Sequence, residues 1–224
     1  MARVKSRITR TDLKQDTFIL KLFEWATFAK DNLQTVIITA LVVIVAVVAG
    51  VVYRYYQSGQ TEEAGRILAP GLTAAQQYRY GDAIPIFERV KTNYRGSTAG
   101  MEALNGLANA LFQTGKTEDA RRSFQEYLDT YGGKDDLMDI GAKSGLAACD
   151  EQTGKPAEAA KQFEALATDN PQAFLAPSLL LDAARCYQAA KQPESAKKLY
   201  DLVIEKYKKS APYVREAKAG LAEL

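Results

Sequence analysis

Two cysteines, Cys149 and Cys186, and a scatter of carboxylates are the side chains of this sequence whose types could do chemistry. There is no histidine, which removes the usual general base near neutral pH and the commonest metal ligand. The cysteines form no CxxC pair and have no clustered ligands, so a thiolate zinc site is excluded. A disulfide scaffold does not fit either, because such scaffolds are short and dense in cysteine. The acidic pair Asp135-Asp136 reads as a turn before a helix, where negative charge suits the helix N-terminus. GxSxG, GxxxxGKS/T and HExxH are all missing, and the glycines of "GDAIPIF" and "YGGKDD" lack phosphate-cradle spacing. The expectation is a protein without catalytic residues, metal, cofactor or small-molecule substrate.

What the sequence offers instead is surface, and surface needs elements to carry it. After residue 58 the apolar residues follow helical periodicity, with no alternation of the kind a strand shows. Four segments align with one another: "YGDAIPIFERVKTNYRGS", "KTEDARRSFQEYLDTYGGK", "KPAEAAKQFEALATDNPQA" and "QPESAKKLYDLVIEKYKKSAP". Each places an alanine four residues before an aromatic: Ala83/Phe87, Ala120/Phe124, Ala159/Phe163 and Ala196/Tyr200. Eleven residues after each alanine come Tyr94, Tyr131, Asn170 and Tyr207, and the period is 37 to 39 residues. A small residue where helices cross lets their axes approach, and an aromatic one turn later fills the wedge against the next helix. Another helix precedes each of the last three segments. Before the first, Pro70-Gly71 is expected to interrupt it.

Ser97 or Thr98, Thr117 and Ser178 stand where N-caps are expected. Pro156 and Pro171 stand near helix starts. Gly115, Gly132, Gly133 and Gly154 stand where helices stop. This pattern resembles the tetratricopeptide repeat over residues ~60–224. The resemblance implies an all-α solenoid of about four helix pairs, and "APYVREAKAGLAEL" reads as a final capping helix. Cys149 and Cys186 share one phase of adjacent repeats, where the preceding repeat has Ala110. Two buried free thiols are expected there, with a repeat-stapling disulfide as the alternative in an oxidising compartment.

A solenoid of this kind binds on the concave face lined by its first helices. By repeat phase that face includes Glu102, Asn105, Asn109, Phe112, Leu181, Arg185 and Gln188. Asn105 and Asn109, one turn apart, could hydrogen-bond an extended peptide; ordinary solvated helix surface is the alternative. Capture of a C-terminal carboxylate is not predicted, since the lysines that it needs are missing and Glu102 has the wrong sign.

The N-terminal quarter has a different character. No charged residue occurs from Asn32 to Tyr53, long enough as a helix to cross a bilayer core of about 30 Å. The preceding segment is too long for a signal peptide and no A-x-A site follows, so an uncleaved anchor is expected. Residues 1–31 carry seven Lys/Arg against four acids, while residues 54–224 are nearly balanced. That bias places the N-terminus in the cytoplasm and the large domain outside. Tyr53, Tyr55 and Tyr56 are expected at the outer interface. The stretch "DTFILKLFEWATFAKDN" reads as an amphipathic helix at about 16–30, anchored by Trp25 on the lipid surface or docked on a partner's membrane helices. The near-neutral large domain argues against nucleic-acid binding. The expected organisation is therefore a tail at 1–31, a span at 32–53, a linker or helix extension at 54–66 and the solenoid at 67–224.

A basic N-terminus, an aromatic amphipathic segment, one N-in span and an exported helical-repeat domain together resemble the ancillary translocon-subunit family. Those are single-pass bacterial inner-membrane proteins beside the SecYEG channel. The resemblance implies a periplasmic domain that meets translocon subunits, periplasmic chaperones or emerging polypeptides. The other reading is an envelope-organising or division-associated scaffold with no client role.

Overall fold

The structure is a computed structural model that describes Trp25, Lys30 and residues 32–224, without the side chains of residues 51–61. Among the described residues the long elements are all α-helices. They are α1 (Leu33–Gln76), α2 (Tyr80–Asn93), α3 (Thr98–Gln113), α4 (Thr117–Tyr131), α5 (Asp136–Gln152), α6 (Pro156–Asp169), α7 (Ala176–Ala189), α8 (Pro193–Lys206) and α9 (Ala211–Ala222). The chain divides into two units, residues 1–58 and 59–224.

In the first unit, Leu33–Gly50 of α1 has a mean hydropathy of 2.6 and none of it is buried. It is the one described helix long and apolar enough to cross a membrane. Thr39 sits in this run and donates its hydroxyl to the Thr35 carbonyl at 2.8 Å, which satisfies the group inside the helix itself. Of the expected amphipathic segment at about 16–30, only Trp25 (exposed) and Lys30 are described; the rest lies outside the described residues. Tyr53, Tyr55 and Tyr56 belong to the helical backbone of α1, and their side chains lie outside the described set.

The second unit alternates first and second helices. Residues 59–76 of α1 pair with α2, then α3 with α4, α5 with α6 and α7 with α8, and α9 ends the stack. The turn inside every pair is the same object. Its pivot is a residue of left-handed φ: Tyr78 (60°), Gly115 (77°), Gly154 (82°) and Lys191 (58°). At the second pivot, Gly115 N–H donates to Phe112 O at 3.0 Å and Lys116 N–H to Leu111 O at 2.9 Å. The same two bonds recur at the other three pivots. This is the Schellman closure, which satisfies two carbonyls that a helix end leaves orphaned. The residue after each pivot also serves as N-cap of the next helix, so Lys116 occupies the place expected for Thr117. Thr117 is free to donate to Gln152 Oε1, one repeat on, at 2.7 Å.

Other caps divide the same way. Ser97 caps α3, its Oγ accepting from Gly100 N–H at 3.0 Å. Asp135 caps α5 through Met138 N–H at 2.9 Å, the helix-start role expected for the acidic pair. Ser178 does not cap; it lies inside α7 and donates back to Leu175 O.

Every repeat alanine is fully buried, and Phe87, Phe124, Phe163 and Tyr200 are nearly so. Three of the rings lie on bare backbone of the next first helix; no glycine faces Phe163, since α7 has Asp182 at that register position. A Cβ added at Gly106 would come within 2.8 Å of Phe87 Cζ, one at Gly145 within 2.3 Å of Phe124 Cζ, and one at Gly220 within 2.3 Å of Tyr200 Cζ. The third contact makes α9 the first helix of a further repeat unit, which is how it caps the stack. The core forms two clusters that meet at α5: Ala142 and Cys149 face the earlier repeats, Ile140 and Ala147 the later ones.

The expected break at Pro70-Gly71 does not occur; α1 runs through both. Proline costs a helix one hydrogen bond, and packing of Ala64, Leu68 and Ala74 into the first core cluster offsets it. Gly71 is there for close approach, since a Cβ would lie 2.9 Å from Ile86 Cγ2 and 3.0 Å from Phe87 Cε1.

The pivots give a direct test of the repeat geometry. A side chain in left-handed backbone costs about 1–2 kcal/mol, partly offset by glycine's larger unfolded-state entropy. Lys191→Gly should therefore stabilise the domain by roughly 0.5–1 kcal/mol and Gly154→Ala should destabilise it by about 1 kcal/mol. Urea midpoints of the two variants read this out; shifts of the same sign would contradict a shared turn.

A candidate protein-binding face

Counting back from each pivot brings the first-helix residues into register. Asn109 lies six residues before Gly115, and its counterparts are Leu72, Ala148 and Arg185. Phe112 lies three before Gly115, and Glu151 and Gln188 are its counterparts. Every position named from the sequence belongs to this register, yet the side chains do different things along it.

On α3, Glu102, Asn105 and Phe112 are partly buried and Asn109 is exposed. Asn109 Nδ2 donates to the Asn105 carbonyl at 2.9 Å and reaches Asn105 Oδ1 at 3.4 Å. Asn105 Nδ2 and Asn109 Oδ1 are then the donor and acceptor the pair can turn outward, matching the acceptor and donor of a peptide unit. Phe112 packs its ring against the first core cluster. Leu72, 37% exposed, holds the phase of Asn109 one repeat earlier.

On α7 the same register is engaged in bonds and packing, although Arg185 itself is about half exposed. Leu181 is only 4% exposed, inside the second core cluster with Leu221, so it corrects the expectation of an accessible position. It has the phase of Asn105, but α9 packs directly on α7 and covers it. Arg185 bonds to Glu151 of the preceding first helix, and its Nη2 to Asp182 Oδ1 at 3.1 Å. Burial lowers the Arg185 guanidinium, but the bonds to Glu151 and Asp182 outweigh that and hold it further up. Burial pushes the Asp182 carboxyl up, against the pull of Arg185. Gln188 donates to the Glu223 carbonyl at 3.3 Å and accepts from the Tyr200 hydroxyl at 3.3 Å. The Arg185–Glu151 and Gln188–Glu223 bonds tie α7 to α5 and to the end of α9, while the bond to Asp182 stays within α7 and the bond to Tyr200 reaches α8.

Leu72, Glu151 and Asp182 were missed in the sequence. The signal for each was the distance to the pivot, which becomes countable once Tyr78 is seen to play the part of Gly115. A second concavity of about 570 Å³ lies between the second helices α2 and α4. Its floor is Leu107 and Leu111, and the Lys91–Glu126 ion pair (2.7 Å) joins its sides. The cysteines take no part in either site. Both are free and fully buried; burial pushes the Cys186 thiol up to about 12, with Glu151 adding to the shift, and raises Cys149 as well. They are inert thiols at neutral pH.

The profile of a tetratricopeptide repeat-like domain matches residues 26–218. The chain belongs to this family. Tetratricopeptide repeats are protein-interaction scaffolds, and the face just described is where this one has side chains to offer. Among solved structures, the TPR-like repeats assigned to a kinesin light chain of Podosopora anserina share 18% identity and a TM-score of 0.56, covering 74% of this chain and 83% of that one. A tetratricopeptide repeat protein of Parabacteroides merdae shares 15% identity and a TM-score of 0.56, covering 71% of this chain and 57% of its own. PcrH in complex with the chaperone-binding region of PopB shares 22% identity with a TM-score of 0.47, covering 58% and 99%. At these identities the likeness is one of fold. No protein of curated function matches the chain.

Removing the guanidinium tests the closed half of the face. Arg185 is about half exposed, so Arg185→Ala should cost only about 0.5–1 kcal/mol at neutral pH. The variant should also push the Asp182 carboxyl further up. As pH falls and Asp182 takes up its proton, the variant's deficit should shrink. Urea melts across the acid range check this; a deficit that persists at acid pH would show that packing, not charge, is lost.

Proposed function

We propose that this chain is a membrane-tethered interaction protein that serves the protein-export machinery, holding its repeat domain beside the channel to engage translocon subunits, periplasmic chaperones or emerging polypeptides. The observation that carries the reading is the pairing, in one chain, of a fully exposed apolar helix at Leu33–Gly50 with a tetratricopeptide solenoid. A soluble scaffold gains nothing from an unburied eighteen-residue run of mean hydropathy 2.6, whereas an anchor needs one.

In this reading residues 32–53 are the membrane segment of a bacterial inner-membrane protein, 54–66 extend its helix, and 67–224 form the periplasmic solenoid. The Lys/Arg excess of residues 1–31 supports a cytoplasmic N-terminus. Tyr53, Tyr55 and Tyr56 would mark the outer interface and Trp25 the inner one. The tether confines the solenoid near the bilayer and so raises its effective concentration for partners there. The mechanism is recruitment without chemical conversion: the open half of the concave face, with Asn105, Asn109 and Phe112, takes an extended segment of a partner, and the protein is not an enzyme.

Two measurements on intact cells test this reading. A periplasm-active phosphatase fused after Leu224 should be active; activity of a cytoplasmic reporter instead would reverse the topology. Crosslinking from the span and from α3 should return export-channel subunits, periplasmic chaperones or exported precursors. Recovery of cell-wall or division proteins alone would replace this reading with an envelope scaffold.

A further inference from the structure

Four turns punctuate the solenoid on the side opposite the pivots, where a second helix hands over to the next first helix. Two of them expose a large apolar side chain. Leu137, in the first turn of α5, is 56% exposed, and Phe174, in the turn before α7, is 79% exposed. The two are 37 residues apart, the distance from Gly154 to Lys191, so they hold one phase of adjacent repeats. Adjacent repeats place such side chains about 10 Å apart along the edge.

Neither exposure comes from a loose segment. Met138 and Ile140 turn inward beside Leu137, and Ala173 and Leu175 turn inward on either side of Phe174. The turn that carries Phe174 is closed by Ala173 N–H to Asn170 O at 3.0 Å, Ala176 N–H to Ala173 O at 3.0 Å, and Asn170 Nδ2 to Leu166 O at 3.0 Å. The ring therefore stands outward on a fixed base.

The charges around the pair have one dominant sign. Asp135, Asp136, Asp139 and Asp169 belong to these two handovers, against Lys134 alone. The Lys134 ammonium lies 5.1 Å from the Tyr131 ring centroid, which holds it toward its own repeat. The handovers on either side carry the opposite sign, with exposed Arg95 before and exposed Lys208 and Lys209 after. The edge thus has an acidic, apolar middle two repeats long, bounded by basic ends.

We propose that this middle stretch is a docking edge for a partner segment that presents apolar side chains among Lys or Arg residues. Leu137 and Phe174 supply the apolar contacts; exposed Asp136 and Asp169 supply attraction, and with Asp135 and Asp139, which accept from Met138 and Gly133 N–H, they exclude acidic partners. The same aspartates repel an anionic lipid surface, which is why the occupant is a basic protein segment and not the bilayer. The basic ends fix its extent, since a longer basic segment would meet Arg95 or Lys208. This edge is separate from the concave face and does not depend on the role proposed for that face.

The test uses the full chain in phosphatidylcholine nanodiscs, with empty nanodiscs as blank. The probes are two fluorescent synthetic peptides, one alternating Leu with Lys and one alternating Leu with Glu, followed by anisotropy. The Lys peptide should bind, high salt should weaken it, and the Leu137→Ser/Phe174→Ser double variant should weaken it at least tenfold. Both substitutions are at exposed positions, and circular dichroism confirms that the helices remain. Equal binding of the two peptides, no binding of the Lys peptide, or an unchanged affinity in the double variant would overturn the proposal. So would light scattering that shows a dimer lost in the double variant, which would make a second copy the occupant, or binding to phosphatidylglycerol vesicles that the double variant abolishes, which would make it the membrane.

Discussion

An aromatic ring on each second helix has to lie on something flat, and for three of the four rings the flat thing is helix backbone with no side chain on it. Phe87 lies on Gly106, Phe124 on Gly145 and Tyr200 on Gly220. Each contact crosses from one repeat to the next, so the rings set the spacing of the stack as well as filling its core. A methyl at Gly145 would have to share space with Phe124 Cζ at 2.3 Å, and neither a ring in a packed core nor a helix backbone can give way by that much at small cost. Each helix pair turns back through the same left-handed closure, at Tyr78, Gly115, Gly154 and Lys191, whether or not the residue is glycine, and that constant turn brings ring and glycine together in three of the four repeats.

The binding face inherits its asymmetry from this stack. First helices brought into regular contact bring the same register positions beside one another, and sequence decides whether they bond. Around α7 they do: Arg185 joins Glu151 of α5, and Gln188 joins Glu223 at the end of α9. Around α3 the corresponding places hold Leu72, Asn109, Phe112 and Ala148, which have no charge to spend on a neighbour. The half of the face that stays open is therefore amide and apolar in character, suited to an extended segment of protein and poorly suited to a carboxylate terminus.

Much of this fold could be read in the sequence because its signals are local. The alanine–aromatic spacing, the helix pairs, the final helix, the two buried thiols and the Asp135 cap all depend on residues a few positions apart, and the structure bears them out. The misreadings share the opposite cause. Pro70-Gly71 looks like a break until Phe87, sixteen residues on, is seen to need Gly71 bare. Leu181 has the right phase for a binding residue, but its accessibility is decided by α9, which packs on it from the end of the chain. Arg185 looks available until Glu151, 34 residues earlier, is placed beside it. Phase along a helix is written in the sequence; what stacks on that phase is not.

The central claim is that the open half of the first-helix face, on α3, is where this chain engages a protein. Site-specific photocrosslinking in living cells addresses it most directly, with a benzophenone side chain placed at position 109 or at position 185. The account predicts protein adducts from position 109 and few or none from position 185, which the carboxylates of Glu151 and Asp182 flank. Adducts of equal yield from both positions, or adducts from position 185 alone, would contradict it.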